Sequence, residues 1–177
     1  MFAVIGLGNP GSRYANTRHN LGYRAVSALA DSLGLAGKWK EKGNCSYLKA
    51  DLGDVETLLL LPLQFMNLNG EAVRPLLTFY KIPVDSVLVL YDELDLPPGT
   101  IRVAKGGSAG GHRGVQDVIA QLGSSDFYRI RIGIGHPRNF DPPLPIDVSD
   151  YVLGHPTGEE QKLLNEATLR EIGRAHV

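Results

Sequence analysis

The chain has 177 residues and a mass of 19.2 kDa, with 43% hydrophobic residues, 21% charged residues and a formal net charge of −1. That is one ordinary folded domain, too apolar and too nearly neutral to be disordered. The longest apolar run, Leu58–Leu63, contains Pro62 and falls far short of the roughly 18 residues of a membrane span. The single cysteine, Cys45, excludes an internal disulfide and a cysteine-based zinc site. Met1-Phe2-Ala3-Val4-Ile5 has no basic stretch and meets glycine at once, so no secretory leader is expected and a cytoplasmic location is.

Phe2–Leu7 is short, apolar and closed by glycine, which predicts a buried strand. Gly22, Ala25, Val26, Leu29, Ala30 and Leu33 recur at helical spacing, and Gly34 should stop that helix. Ser46–Asp51 and Glu56–Leu61 read as strands of a hairpin joined by Leu52-Gly53-Asp54. A second helix is predicted over Glu71–Tyr80, with Pro75 bending it or marking its first turn. Ser86–Tyr91 and Thr100–Ala104 read as strands, and Gly106–Gly111 as a glycine-rich loop. A helix should follow over Arg113–Leu122 on Val115, Val118, Ile119 and Leu122. Tyr128–Ile134 alternates Ile with Arg and Gly, as a strand with one exposed face does. Asp141–Ile146 is Pro-rich and irregular, and a last helix starts near Thr157. Strands alternating with helices, with no repeat and no linker, predict one three-layer α/β domain over residues 1–177, a twisted mixed sheet flanked by helices.

Charge is unevenly spread. Residues 1–49 carry seven Lys/Arg against two Asp/Glu, and residues 98–138 six against two. Residues 50–97 carry two against eight, and residues 139–177 three against seven. Such blocks are commonly solvated faces. Alternatively the two basic blocks share one face and hold an anion, as local phosphate recognition.

Polar clusters interrupt the pattern at strand ends. Gly6-Leu7-Gly8-Asn9-Pro10-Gly11 fits the dinucleotide motif GxGxxG, which needs a helix opening at the glycines. Here Pro10 to Asn20 intervene, and the expected ribose-binding acid, Asp31, falls inside a helix. The other reading is a strand-end loop carrying Asn9 and His19, or a plain turn in which Asn9 bonds its own backbone. In Phe65-Met66-Asn67-Leu68-Asn69-Gly70, Asn67 and Asn69 either cap the next helix or, for Asn67, hold a substrate carbonyl or amide. In Tyr91-Asp92-Glu93-Leu94-Asp95, the acids resemble a metal site, but the other loops supply Asn and His rather than further carboxylates. The simpler arrangement has Asp92 facing His19 and fixing its tautomer, with Glu93 and Asp95 solvated. Gly106-Gly107-Ser108-Ala109-Gly110-Gly111 leaves backbone amides free for an anion but lacks the Gly-Lys-Ser/Thr ending of a P-loop.

These blocks together, with Tyr14, Thr17-Arg18-His19-Asn20, Gly22, Gly111-His112 and Arg131-Ile132-Gly133-Ile134-Gly135-His136-Pro137, closely resemble bacterial peptidyl-tRNA hydrolase along essentially the whole chain. The resemblance implies an esterase that frees peptide from peptidyl-tRNA and recycles the tRNA, without metal or cofactor. It implies His19 as catalytic histidine and Asp92 as its support. It assigns Asn9 to sensing the peptide, Asn67 to the scissile ester, and Tyr14 and Phe65 to the tRNA 3′ end. The partner implied is peptidyl-tRNA, held by its 3′ end and acceptor stem. A monomer without membrane attachment is expected.

The residues suffice for that chemistry. Ester hydrolysis needs a base for water, and histidine titrates near working pH. No Gly-x-Ser-x-Gly occurs, which favours direct attack by water over an acyl-enzyme. Arg102, Lys105, Arg129 and Arg131 are candidate phosphate contacts. Two departures stand out. Arg113 replaces the family's usual Asn, so a donor-only cation stands at a substrate-holding position, where it either pairs with Asp92 or Glu93 or reaches a substrate phosphate. The chain also stops at Val177, where many relatives continue. Two other functions remain: a catalytically weak tRNA acceptor-stem binder, and a dinucleotide-dependent oxidoreductase.

Overall fold

The computed structural model describes residues 1–175, so the end of the chain at Val177 lies outside the described residues. One mixed sheet of seven strands runs in the order β2-β3-β4-β1-β5-β7-β6. Its strands are β1 (Phe2–Gly6), β2 (Lys40–Lys42), β3 (Cys45–Leu52), β4 (Val55–Pro62), β5 (Val87–Glu93), β6 (Ile101–Lys105) and β7 (Tyr128–Gly133). β1 pairs in parallel with β4 and β5, and β5 with β7; the outer strands β2, β3 and β6 pair antiparallel. The carboxyl ends of four strands therefore point one way. The helices are α1 (Leu21–Ser32), α2 (Asn69–Phe79), α3 (Arg113–Leu122), α4 (Val148–Val152) and α5 (Gly158–Ala175). Among the described residues no helix is long and apolar enough to cross a membrane.

The central strands bury both faces, which is why they read as continuous apolar runs. On β4, Leu58 and Leu60 join the core under α2 and α3, while Leu59 and Leu61 join the core under α1 and α5. The three predicted layers are these two helical layers and the sheet between them.

The apolar periodicity located α1, the hairpin, α2, α3 and the three central strands to within two residues. Gly34 follows α1 at φ +73, the left-handed geometry of a helix stop. Pro75 stands inside α2, at its seventh residue, and not in its first turn. β2 escapes the reading because Lys-Glu-Lys has no apolar member; it is a short charged edge strand. α4 escapes it at five residues. β7 departs from the predicted half-exposed strand. Lying between β5 and β6, it has its arginine face covered, with Arg129 buried and Arg131 partly so.

One contact fixes how α1 lies on the sheet. A Cβ on Gly22 would sit 2.0 Å from Leu90 O and 2.7 Å from the carbonyl carbon, and a Cβ on Gly6 would sit 2.5 Å from Gly22 O. These are backbone atoms of the sheet and helix and cannot rotate away. Gly22→Ala is therefore expected to lower stability by about 2 kcal/mol or more, a fall of at least roughly 4–8 °C in Tm for a chain of this size. Thermal unfolding against the parent checks it.

Candidate active site

The carboxyl ends of β1, β4 and β5 and the start of α3 surround a cleft of about 520 Å³. Open α/β sheets place their sites at this edge. Asn9, His19, Phe65, Asn67, Asp92 and Arg113 all line it, as do His112 and the apolar side chains of Leu94, Val148, Val152 and Leu153.

Asp92 is the penultimate residue of β5 and is only 3% exposed. Its Oδ2 meets His19 Nδ1 at 2.8 Å and its Oδ1 meets His112 Nε2 at 2.9 Å. Burial alone would raise the carboxyl's pKa; the charges and hydrogen bonds of the two histidines outweigh it and hold the group far below the usual carboxylate range. Val115 N donates to His112 Nδ1 at 3.3 Å, so that nitrogen carries the lone pair and Nε2 carries the proton given to Asp92. His112 thus caps α3 and buttresses Asp92 at once. His19 donates Nδ1–H to the other carboxylate oxygen, which leaves its Nε2 as the acceptor.

Desolvation would lower the His19 pKa, but the charge and hydrogen bond of Asp92 win and raise it, against a smaller lowering by Arg113. His19 is held from its neighbours. It sits on a single turn, Arg18–Asn20. The Arg18 guanidinium pairs with Glu160 at 3.0 Å, donates to Tyr151 O at 3.0 Å and lies 4.0 Å from the Tyr151 ring centroid.

Asparagines tie the loops together. Asn20 accepts from Asn9 N at 2.9 Å and donates to Asn9 O at 2.8 Å. Asn69 accepts from Gly8 N at 3.0 Å and donates to Gly8 O, Gln64 O and Phe65 O at 3.1–3.2 Å. Neither Asn67 nor Asn69 caps α2, contrary to the capping expectation; Asn69 is a loop clamp and Asn67 is exposed at the cleft. Asn9 does not fold back on its own turn either. Its Oδ1 accepts from Met66 N at 2.6 Å, which leaves the Nδ2 amino group, a donor, for the cleft. Tyr14 stands edge-on to Phe65 with centroids 6.0 Å apart, and Phe65 is 57% exposed at the rim.

Several expectations are corrected. Arg129 is 2% exposed and is no surface phosphate contact. It donates to Gly107 O and Ser108 O at 2.6 Å and lies 4.6 Å from the Phe127 ring, holding the glycine-rich loop from below. Arg131 is half-buried and pairs with Glu93 at 3.3 Å, so Glu93 is not a solvated acid. Arg102 and Lys105 are exposed on β6, away from the cleft lining. Arg113 pairs with neither proposed acid, because both Asp92 oxygens serve histidines and Glu93 serves Arg131. β2 and β3 carry three lysines of the first basic block, Lys40, Lys42 and Lys49, at the sheet edge opposite β6, which carries Arg102 and Lys105 of the second. His112, Asn20, Arg18 and α4 have structural roles that no local sequence spacing points to. His112 adjoins the glycine-rich loop in sequence, but nothing local shows that it reaches Asp92.

His19, Asp92 and His112 offer ligand atoms within 4.8 Å of one another, the spacing of a metal site. Those atoms already satisfy each other through two short hydrogen bonds, and a cation would have to displace the His112 proton. The chemistry on offer is proton transfer at oxygen beside neutral amides, that of a hydrolase built on a mixed α/β sheet.

Comparison with known proteins names the family. The peptidyl-tRNA hydrolase family model matches residues 3–176. The chain is 47% identical over 175 residues to the peptidyl-tRNA hydrolase of Bacillus licheniformis, covering 99% of this chain and 89% of that one. It is 42% identical over 170 residues to that of Acidithiobacillus ferrooxidans, covering 96% and 87%. The crystal structure of the Acinetobacter baumannii peptidyl-tRNA hydrolase superposes with a TM-score of 0.86 at 36% identity, covering 99% and 86%. The chain belongs to the peptidyl-tRNA hydrolase family, and its reaction is hydrolysis of the ester that joins peptide to tRNA. The dinucleotide reading is thereby overturned, and geometry agrees: α1 opens only at Leu21, and a Cβ on Gly8 would strike Tyr23 at 2.8 Å. The weak-binder alternative gives way to the enzyme as well.

The charges around His19 set a pH profile. A histidine acts as a base in its neutral form, so with His19 in that role the rate is expected to climb as pH rises through its raised pKa. Asp92→Asn removes the group that raises the value, and its rising limb should move to lower pH with a lower plateau. Arg113→Asn removes an opposing cation, and its limb should move to higher pH. Profiles of kcat/KM for the three proteins check both signs.

Proposed function

We propose that His19 is the general base that activates water, that Asp92 orients it, and that Asn9 and Asn67 hold the peptide beside the ester. The observation that carries this reading is the 2.8 Å bond from His19 Nδ1 to a buried carboxylate, which directs the basic Nε2 to the cleft. Water attacks the ester carbonyl carbon while Nε2 takes its proton. The tetrahedral oxyanion collapses, and the bond to the ribose oxygen of the terminal nucleotide breaks. The imidazolium returns the proton to that oxygen, so tRNA leaves with a free hydroxyl and the peptide as a carboxylic acid, which loses its remaining water-derived proton to solvent. Asp92 stabilises the imidazolium meanwhile, as the aspartate of a hydrolytic triad does. Amide donors facing the cleft suit the developing oxyanion.

Asn9 gives a reason for preferring peptidyl- over aminoacyl-tRNA. With its oxygen committed to Met66 N, it presents only N–H. A peptide carbonyl accepts from it, whereas the ammonium of a free aminoacyl group is itself a donor and finds no partner.

Tyr14 and Phe65 form an aromatic rim for unstacked bases of the 3′ end. Arg113, exposed at the cleft and without an acidic partner among the described residues, reaches for phosphate. Arg102 and Lys105 on β6 extend phosphate contact along the acceptor stem. The chain works as a single-domain monomer in the cytoplasm.

His19→Ala is expected to lower the hydrolysis of N-blocked aminoacyl-tRNA by roughly 10²–10⁴ while tRNA binding persists. Peptide release within a few-fold of the parent would remove His19 from the role. Asn9→Asp keeps the acceptor for Met66 N but turns the cleft-facing donor into an anionic acceptor. Its kcat/KM for the blocked substrate should fall about tenfold to a hundredfold, and the ratio of blocked to free substrate should shrink. Competition between the two substrates reads that ratio directly.

A further inference from the structure

The first 49 residues carry a surplus of five positive charges, and the cleft uses little of it. Lys40, Lys42, Lys49 and Lys81 are exposed and gather where the β2–β3 sheet edge meets the end of α2. Strand pairing sets their face. Lys40 lies opposite Tyr47 and Lys42 opposite Cys45, and Lys49 is two residues beyond Tyr47, so all three share the face that α2 covers. Phe79 ends α2, Tyr80 follows it, and Lys81 comes next. Lys42 Nζ sits 3.4 Å from the Phe79 ring centroid and Lys49 Nζ 5.0 Å from that of Tyr80. Phe79 is 60% exposed. None of the four lysines makes an ion pair among the described residues. Asp51, opposite Glu56, bounds the patch beyond Lys49.

We propose that this patch is a second phosphate-contact surface for the RNA body of the substrate, on the sheet edge opposite Arg102 and Lys105. The inference rests on peptidyl-tRNA as substrate. Charge complementarity names the occupant: cations without counter-ions face a polyanion that the enzyme already binds. The ring faces hold two ammonium groups in place, so less side-chain freedom is lost when a phosphate arrives. The patch begins beside the cleft rim, because Leu63 N donates to Asn44 O in the β2–β3 turn at 2.8 Å, two residues before Phe65. Lysines on an edge strand also discourage pairing with other chains. That role would not place Lys49 and Lys81 off the edge strand, and it is indifferent to the sign of charge.

The sign of charge therefore decides. The test is Lys42→Glu with Lys49→Glu in the full chain, assayed on N-acetyl-aminoacyl-tRNA and on the same N-blocked aminoacyl ester of the trinucleotide CCA. KM for the tRNA should rise about three- to tenfold at low salt with kcat unchanged. The slope of log KM against log salt should flatten by roughly two contacts, about 0.7–0.9 each. The trinucleotide ester should be unaffected, and Lys42→Arg with Lys49→Arg should match the parent. If the glutamate pair fails to fold by thermal melt, Lys42→Gln with Lys49→Gln takes its place. Unchanged KM and salt slope on tRNA would overturn the proposal, and so would an equal loss on the trinucleotide ester. Normal kinetics in the glutamate pair combined with self-association of an alanine pair would reduce the lysines to guarding the edge and equally overturn it. A parent that cleaves neither substrate would instead contradict the hydrolase reading itself.

Discussion

A buried carboxylate with two histidine partners is the constraint around which the site is organised. Removing a charge from water costs several kcal/mol unless it is paired and hydrogen-bonded. Asp92 meets that cost with one imidazole on each oxygen. Of the two imidazoles, that of His19 is the proposed base. The other is anchored by the first turn of α3, so the helix start and the glycine-rich loop before it are tied to the same carboxylate. The arrangement also explains Arg113. With no lone oxygen left on Asp92, the guanidinium remains available at the cleft, near enough to disfavour the imidazolium but not to disarm the aspartate.

The second organising device is a chain of amide clamps across loops distant in sequence. Asn20 fixes both backbone groups of Asn9, Asn9 fixes Met66 N, and Asn69 fixes Gly8 together with the loop before α2. Each clamp satisfies buried backbone groups that lie outside any ladder, which costs free energy if neglected. It also removes rotational freedom from Asn9 at the cleft. The oxygen spent on Met66 leaves Asn9 only its amide N–H to offer, so the peptide recognition proposed for it follows from a structural bond.

Much of this was legible in the sequence, and the exceptions have a physical pattern. Apolar periodicity reports burial, so α1, α3 and the central strands were visible. The strand-end loops could be seen to carry Asn9, His19, Asn67 and Asp92, since chemistry concentrates where regular structure stops. What could not be read is which polar side chains turn inward. Arg129 and Arg102 are alike as letters, yet one is buried against carbonyls under a loop and the other is in solvent. Asn67 and Asn69 are two residues apart, yet one lines the cleft and the other clamps three carbonyls. Such differences depend on contacts across tens of residues, to which no local spacing points. β2 and α4 were missed because short elements are held by their neighbours rather than by their own pattern.

Charge placement completes the functional logic. A net charge of −1 gives the molecule no long-range field to hold RNA. The contacts proposed above are accordingly few and local: Arg113 at the cleft, Arg102 and Lys105 at one sheet edge, and the lysines of β2 and β3 at the other. This suits turnover. Contacts to RNA far from the ester are made equally in substrate, transition state and product, so they lower KM without raising kcat. The same contacts hold the deacylated tRNA, and each one added beyond what capture requires slows its departure. On the proposed reading, few phosphate contacts around a preorganised base balance capture of the substrate against release of the spent tRNA.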